Sequence, residues 1–129
     1  MAYLQAEIEI CIKEDFTSQQ LELLTPEYIV KQNNKIVNII EHYPELALLK
    51  LGKLAELFLL QALELKRKPE QTNLAWMAKN EGLLTNQEVK IFDSIRKENN
   101  ALKHRVDYSV NKTKIDQLWK NFSSIIHDK

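Results

Sequence analysis

Over residues 46–66 leucine recurs on most of the circumference of a helix, leaving only a narrow polar stripe. A helix that is apolar nearly all round has to be covered on several sides, so this segment is the centre of whatever the chain folds into. Lys50, Lys53, Glu56 and Glu64 interrupt the run, which excludes a membrane span. The chain has 129 residues, enough for one such centre and no second ordinary domain, so residues 1–129 read as a single domain. Two glycines and three prolines are too few for a turn-rich sandwich or barrel. Cys11 is the only cysteine. That excludes an intrachain disulfide framework and a cysteine-based zinc site, and Cys11 reads as a small buried apolar residue. The first dozen residues carry Glu7 and Glu9 and no basic stretch, so no signal peptide is expected. The expectation is an all-α, cytoplasmic domain.

Helices fill the rest of the chain. Residues 3–14 place Leu4, Ile8 and Ile12 at four-residue spacing, and Thr17-Ser18-Gln19-Gln20 offers a capping-box start for a short helix. Thr25-Pro26 is an N-cap followed by a first-turn proline. It opens a helix to about residue 42, with Tyr28, Ile29, Ile36, Ile39 and Ile40 on its apolar side, and Tyr43-Pro44 breaks it. Lys66-Arg67-Lys68 and Pro69 should end the leucine-rich helix. A shorter helix over 70–80 stops at Gly82, which suits a left-handed cap. Thr85 and Glu88 form a second capping box, opening a helix to about His104 with Ile91, Phe92, Ile95 and Leu102 facing inward. The last helix, over about 113–127, carries Ile115, Leu118, Trp119, Phe122, Ile125 and Ile126 at helical spacing. Short connections favour antiparallel neighbours, so an up-and-down four-helix bundle with additional short helices is the expected packing.

Charge is uneven along the chain. The totals balance at 18 basic and 18 acidic side chains, which argues against a bulk nucleic-acid binder. Residues 1–65 nevertheless hold 5 basic and 10 acidic groups, and residues 90–129 hold 9 and 5. The basic third contains the stretch richest in chemistry. Arg96, Asn100 and His104 follow at i, i+4 and i+8 and form one polar strip that drifts by about 80° around the helix. Lys97, Lys103 and Arg105 add positive charge beside it, against one acid, Glu98. Arg96 and His104 lie roughly 12 Å apart along the axis, too far to meet on one atom unless two copies of the helix face each other. These residue types suit RNA cleavage without metal. In such chemistry His104 would be the general acid or base, Arg96 would stabilise charge developing on phosphate, and Asn100 would hold the imidazole or backbone in register. The three histidines lack metal-ligand spacing, so neither metal nor cofactor is expected.

The stretch resembles the signature helix of the HEPN superfamily, the small helical domains named for higher eukaryote and prokaryote nucleotide-binding proteins. It is similar to a bacterial branch whose motif reads Arg-x-x-x-Gly-Asn-x-x-x-His, with Arg96, Asn100 and His104 in the three polar positions. A greasy helix, a shorter helix and a loop, Glu81-Gly82-Leu83-Leu84, precede the motif helix in the same order, and Lys53-Leu54-Ala55-Glu56 resembles a segment of that branch's greasy helix. The resemblance covers roughly residues 46–126. It implies a four-helix bundle, commonly a homodimer, with Arg and His of both protomers in a composite cleft. It also implies endoribonuclease activity in toxin–antitoxin, abortive-infection or CRISPR-linked phage defence, with RNA or a nucleotide bound and an antitoxin or defence-system protein as partner. In that reading Arg96, Asn100 and His104 are catalytic, while Lys97, Lys103 and Arg105 bind substrate.

The chain departs from the family pattern at two points. Seven residues separate Arg96 from His104, where the ribonuclease motif has four to six, and Asn99 stands where the branch prefers glycine. Both departures favour a second reading, a non-catalytic interaction or dimerisation module acting through a protein partner. A third is an ordinary helical bundle with an accidental match. Each residue also has a plain structural role to weigh. His104 can complement the helix dipole, and Arg96 can pair with Asp93 or Asn100 on a solvated face. Asn100 is a poor helix former, which points to a hydrogen bond there. Glu56 needs a partner if buried, with Arg96 or Lys53 the candidates. Trp76 and Trp119 read as core, and His42 and His127 as surface residues.

Overall fold

The computed structural model describes residues 25–65 and 73–128. The expected helices over 3–14 and 18–24, Cys11 and the basic run at 66–69 lie outside these residues. Five helices are described: α1 (Pro26–Ile40), α2 (Pro44–Ala62), α3 (Leu74–Asn80), α4 (Asn86–His104) and α5 (Lys112–Asp128). There is no strand among the described residues, so this part of the chain is all-α. No described helix is long and apolar enough to cross a membrane.

Capping chemistry sets most of the boundaries. Thr25 accepts from the Tyr28 amide, with Pro26 in the first turn of α1. Pro44 likewise opens α2, two residues earlier than the leucine pattern implied. Thr85 and Glu88 close the capping box reciprocally, at 2.9 and 3.2 Å. Gly82, at φ 78°, takes the left-handed position after α3, and the Leu83 amide bonds back to the Ala78 carbonyl. The same closure ends α2 without a glycine. Glu64 adopts φ 57°, and the Leu65 amide bonds to the Leu60 carbonyl. The leucine-rich helix therefore stops at Ala62, short of the expected proline, because its last carbonyls are already satisfied by this turn.

The α2 helix is central in fact. It packs against each of the other four described helices, and ten of its residues are buried. Phe58 of α2, Phe92 of α4 and Phe122 of α5 meet as an aromatic triad, with ring centroids 5.9–6.1 Å apart. Helices α2 and α4 run antiparallel: Leu49 lies near Leu102 at one end and Phe58 stacks on Phe92 at the other. At their crossing a Cβ on Gly52 would stand 2.5 Å from Nδ2 of Asn99, so only glycine allows this approach. Asn99 is buried and donates to the carbonyls of Leu48 (3.0 Å) and Ile95 (3.2 Å). Two aromatic assignments need correction. Trp76 is half exposed, with Lys79 Nζ 4.3 Å above its ring, because Leu74, Ala75 and Ala78 take the inward face of α3. Tyr28 is also exposed, on the outer side of α1.

Candidate functional site

The candidate strip is laid out on one uninterrupted helix. Arg96, Asn100 and His104 all lie on α4 and are all exposed, with His104 in its last turn. Beside the strip a groove of about 190 Å³ opens between α2, α4 and the start of α3. Leu59, Leu74 and Phe92 give it an apolar floor, while Lys53 and Glu56 on one side face Asp93, Arg96, Asn100 and Lys103 on the other. Of the six expected site residues, Arg96, Asn100 and Lys103 therefore share one groove. Lys97, His104 and Arg105 do not line it. Arg105 turns to Asp107, with Nε and Nη2 each 3.4 Å from a carboxylate oxygen. His104 continues the strip one turn beyond Asn100, past the groove's end.

Arg96 is held in place locally. Its Nε lies 3.7 Å from Oδ1 of Asp93, one helical turn earlier, and half of its side chain is exposed. The same Asp93 oxygen accepts from Nδ2 of Asn73 at 3.3 Å, and Asn73 in turn caps α3 by accepting from the amides of Ala75 and Trp76. Arg96 is thus connected through two side chains to the cap of α3. Glu56 shares the groove with both Lys53 and Arg96. The hydrogen-bonding asparagine expected at 100 is instead Asn99, one residue earlier and 100° round the helix, where it faces α2. Its departure from the family's glycine was legible; its pairing with Gly52 was not.

A second polar cluster fixes the chain just after the strip. Glu98 of α4 accepts from the Tyr108 hydroxyl and from the Lys114 ammonium of α5, and its side chain is only 15% exposed. Burial pushes the Glu98 carboxyl up, but the bonds from Lys114 and Tyr108 and the charges of Lys114 and Arg105 outweigh it and hold the group below its ordinary range. Burial and the Glu98 carboxylate push the Tyr108 hydroxyl well above its ordinary value. The loop that follows His104 is thereby tied to both helices. No family model, no curated protein and no solved structure matches this chain.

Proposed function

We propose that the chain is a HEPN-like four-helix-bundle domain that binds RNA or a nucleotide along the outer strip of α4. In this reading the cleavage-competent form is a cytoplasmic homodimer acting as a metal-independent endoribonuclease in toxin–antitoxin or phage defence. The observation that carries it is the shared groove: Arg96, Asn100 and Lys103 open on one space, with His104 next along the same helix. One chain does not easily bring Arg96 and His104 to one phosphorus, since about 12 Å of helix separates them. A twofold partner supplies the missing group. A neutral His104 takes the proton from the ribose 2′-hydroxyl, whose oxygen attacks phosphorus. The P–O5′ bond breaks, and the leaving oxygen takes a proton from the partner's His104 in its imidazolium form. Arg96 balances the charge gathered on the non-bridging oxygens. Lys97, Lys103 and Arg105 hold neighbouring phosphates.

The test is cleavage of mixed-sequence RNA in the presence of a chelator, with sedimentation of each variant. Arg96→Ala and His104→Ala should each abolish cutting while helicity and oligomeric state stay as in the parent. Equal cutting by both variants would end the mechanism. A second reading is favoured by the Asp93–Arg96 pair and by the position of His104 beyond the groove. It is a non-catalytic interaction module working through an antitoxin or defence-system protein. A parent chain that self-associates and never cuts RNA supports that reading over the first.

A further inference from the structure

We infer that Asp93 is the built-in counter-charge of Arg96, a carboxylate that an anionic ligand must displace and that thereby sets how tightly the groove takes phosphate. The inference rests on the proposed binding of RNA or a nucleotide at this groove and names a regulator of that site.

The geometry carries the argument. Asp93 and Arg96 sit one turn apart on α4 and line the same groove, with 3.7 Å between carboxylate oxygen and Nε. That separation, with Arg96 half exposed, is a loose ion pair, strong enough to bias the guanidinium and weak enough to be exchanged. The carboxylate itself is not free to follow. Its Oδ1 is also bonded by Asn73, whose own oxygen is committed to the α3 amides. Asp93 is anchored by Asn73, whereas Arg96 has a long, half-exposed side chain and only this 3.7 Å pair to hold it, so an arriving phosphate draws the arginine away and the carboxylate stays. A fixed negative charge then remains beside the bound anion and weakens it. Glu56 places a second carboxylate on the opposite wall. The groove's charge is therefore mixed, and Lys103 and Arg96 act against resident acids.

Asp93→Asn tests this with little change of shape, because the amide oxygen still accepts from Asn73. The probe is a short fluorescein-labelled single-stranded 2′-O-methyl oligoribonucleotide, which cannot be cut, followed by anisotropy at low salt. Asp93→Asn should bind it about two- to fivefold more tightly, the size of an exposed ion pair. Arg96→Ala should weaken binding, and adding Asp93→Asn to Arg96→Ala should recover much less than it gains in the parent. Asp116→Asn makes the same change of net charge on α5, where Asp116 pairs with Lys120 at 2.9 Å, and should have a smaller effect. Equal tightening by Asp116→Asn, or none by Asp93→Asn while Arg96→Ala still weakens binding, overturns the role of Asp93 and leaves the binding reading standing. A parent that does not bind the probe, with Arg96→Ala indistinguishable from it, overturns both.

Discussion

Two asparagines are buried in the described core, and they hold their helices together by different means. Asn33, on α1, meets α5 through side chains. Its Nδ2 donates to Ser123 Oγ at 2.7 Å, Ser123 donates to the Trp119 carbonyl at 2.7 Å, and Trp119 Nε1 donates back to the Asn33 carbonyl at 2.8 Å. Asn99, on α4, meets α2 through backbone and through space. It donates to two carbonyls, and its amide fills the room that Gly52 leaves. The Asn33–Ser123 pair of the first kind can be exchanged together, because an amide and a hydroxyl both have apolar substitutes of similar size. Space of the second kind cannot. The α2–α4 contact, which also forms the walls of the groove, is therefore the less forgiving of the two.

Gly52→Ala strikes that contact directly and should have the largest effect. The new Cβ meets the end of the Asn99 side chain at 2.5–2.7 Å, and Asn99 cannot swing away without leaving the Leu48 and Ile95 carbonyls. A loss of about 3 kcal/mol is expected from overpacking. Adding Asn99→Gly should restore part of it, because the small residue then stands on the other helix. Urea denaturation of the four members of this cycle reads the coupling. Strict additivity would show that the two helices do not meet as described.

At the other contact Asn33→Ala should cost about 2 kcal/mol, by removing a buried hydrogen bond and opening a cavity. The double change Asn33→Leu with Ser123→Ala should cost less than Asn33→Ala alone. It takes out both polar partners together, and with them the Asn33 Oδ1, which is buried without a hydrogen-bond partner. Thermal denaturation of both variants decides. If the double change is the worse of the two, the network behaves like the Gly52 contact and the contrast collapses.

The sequence made the described helices legible to within a few residues because their signals are local. Caps at Thr25 and Thr85, the left-handed Gly82 and the leucine density of α2 all act over a turn or two. The stop of α2 at Ala62 was not legible, since the turn that closes it places a glutamate, Glu64, at positive φ, which has no signature. The strip of Arg96, Asn100 and His104 was legible as spacing, and the structure keeps it on one face of α4. Its split was not: Lys103 lines the groove while Lys97, His104 and Arg105 do not, because α4 supplies only one side of the groove and the rest comes from α2 and the start of α3, far off in sequence. The hydrogen bonds that Asn99 makes to the Leu48 and Ile95 carbonyls, where a bond was expected of Asn100, have the same origin. Both are asparagines on a helix, and only the position of Gly52 on a different helix decides which one is enclosed.

The smallest expected effect concerns the tie between the two contacts, where Glu98 on the helix of Asn99 is joined to Lys114 on the helix of Ser123. Glu98 is held below its ordinary value in the folded chain, so its contribution is complete above the ordinary carboxylate range and is lost as pH falls through that range and below. Tyr108 is held above its ordinary value, so its share is complete at neutral pH and is lost as pH rises through the ordinary tyrosine range and above it. Glu98→Gln should therefore lower Tm at pH 7, and the gap from the parent should begin to narrow in the ordinary carboxylate range and close only on the acid side of it. Tyr108→Phe should lower Tm at pH 7 and approach the parent only on the alkaline side. Circular dichroism melts across pH measure both. A gap that stays constant with pH would mean that Glu98 holds α4 to α5 by packing alone, and that charge joins the two contacts no more than it holds either of them together.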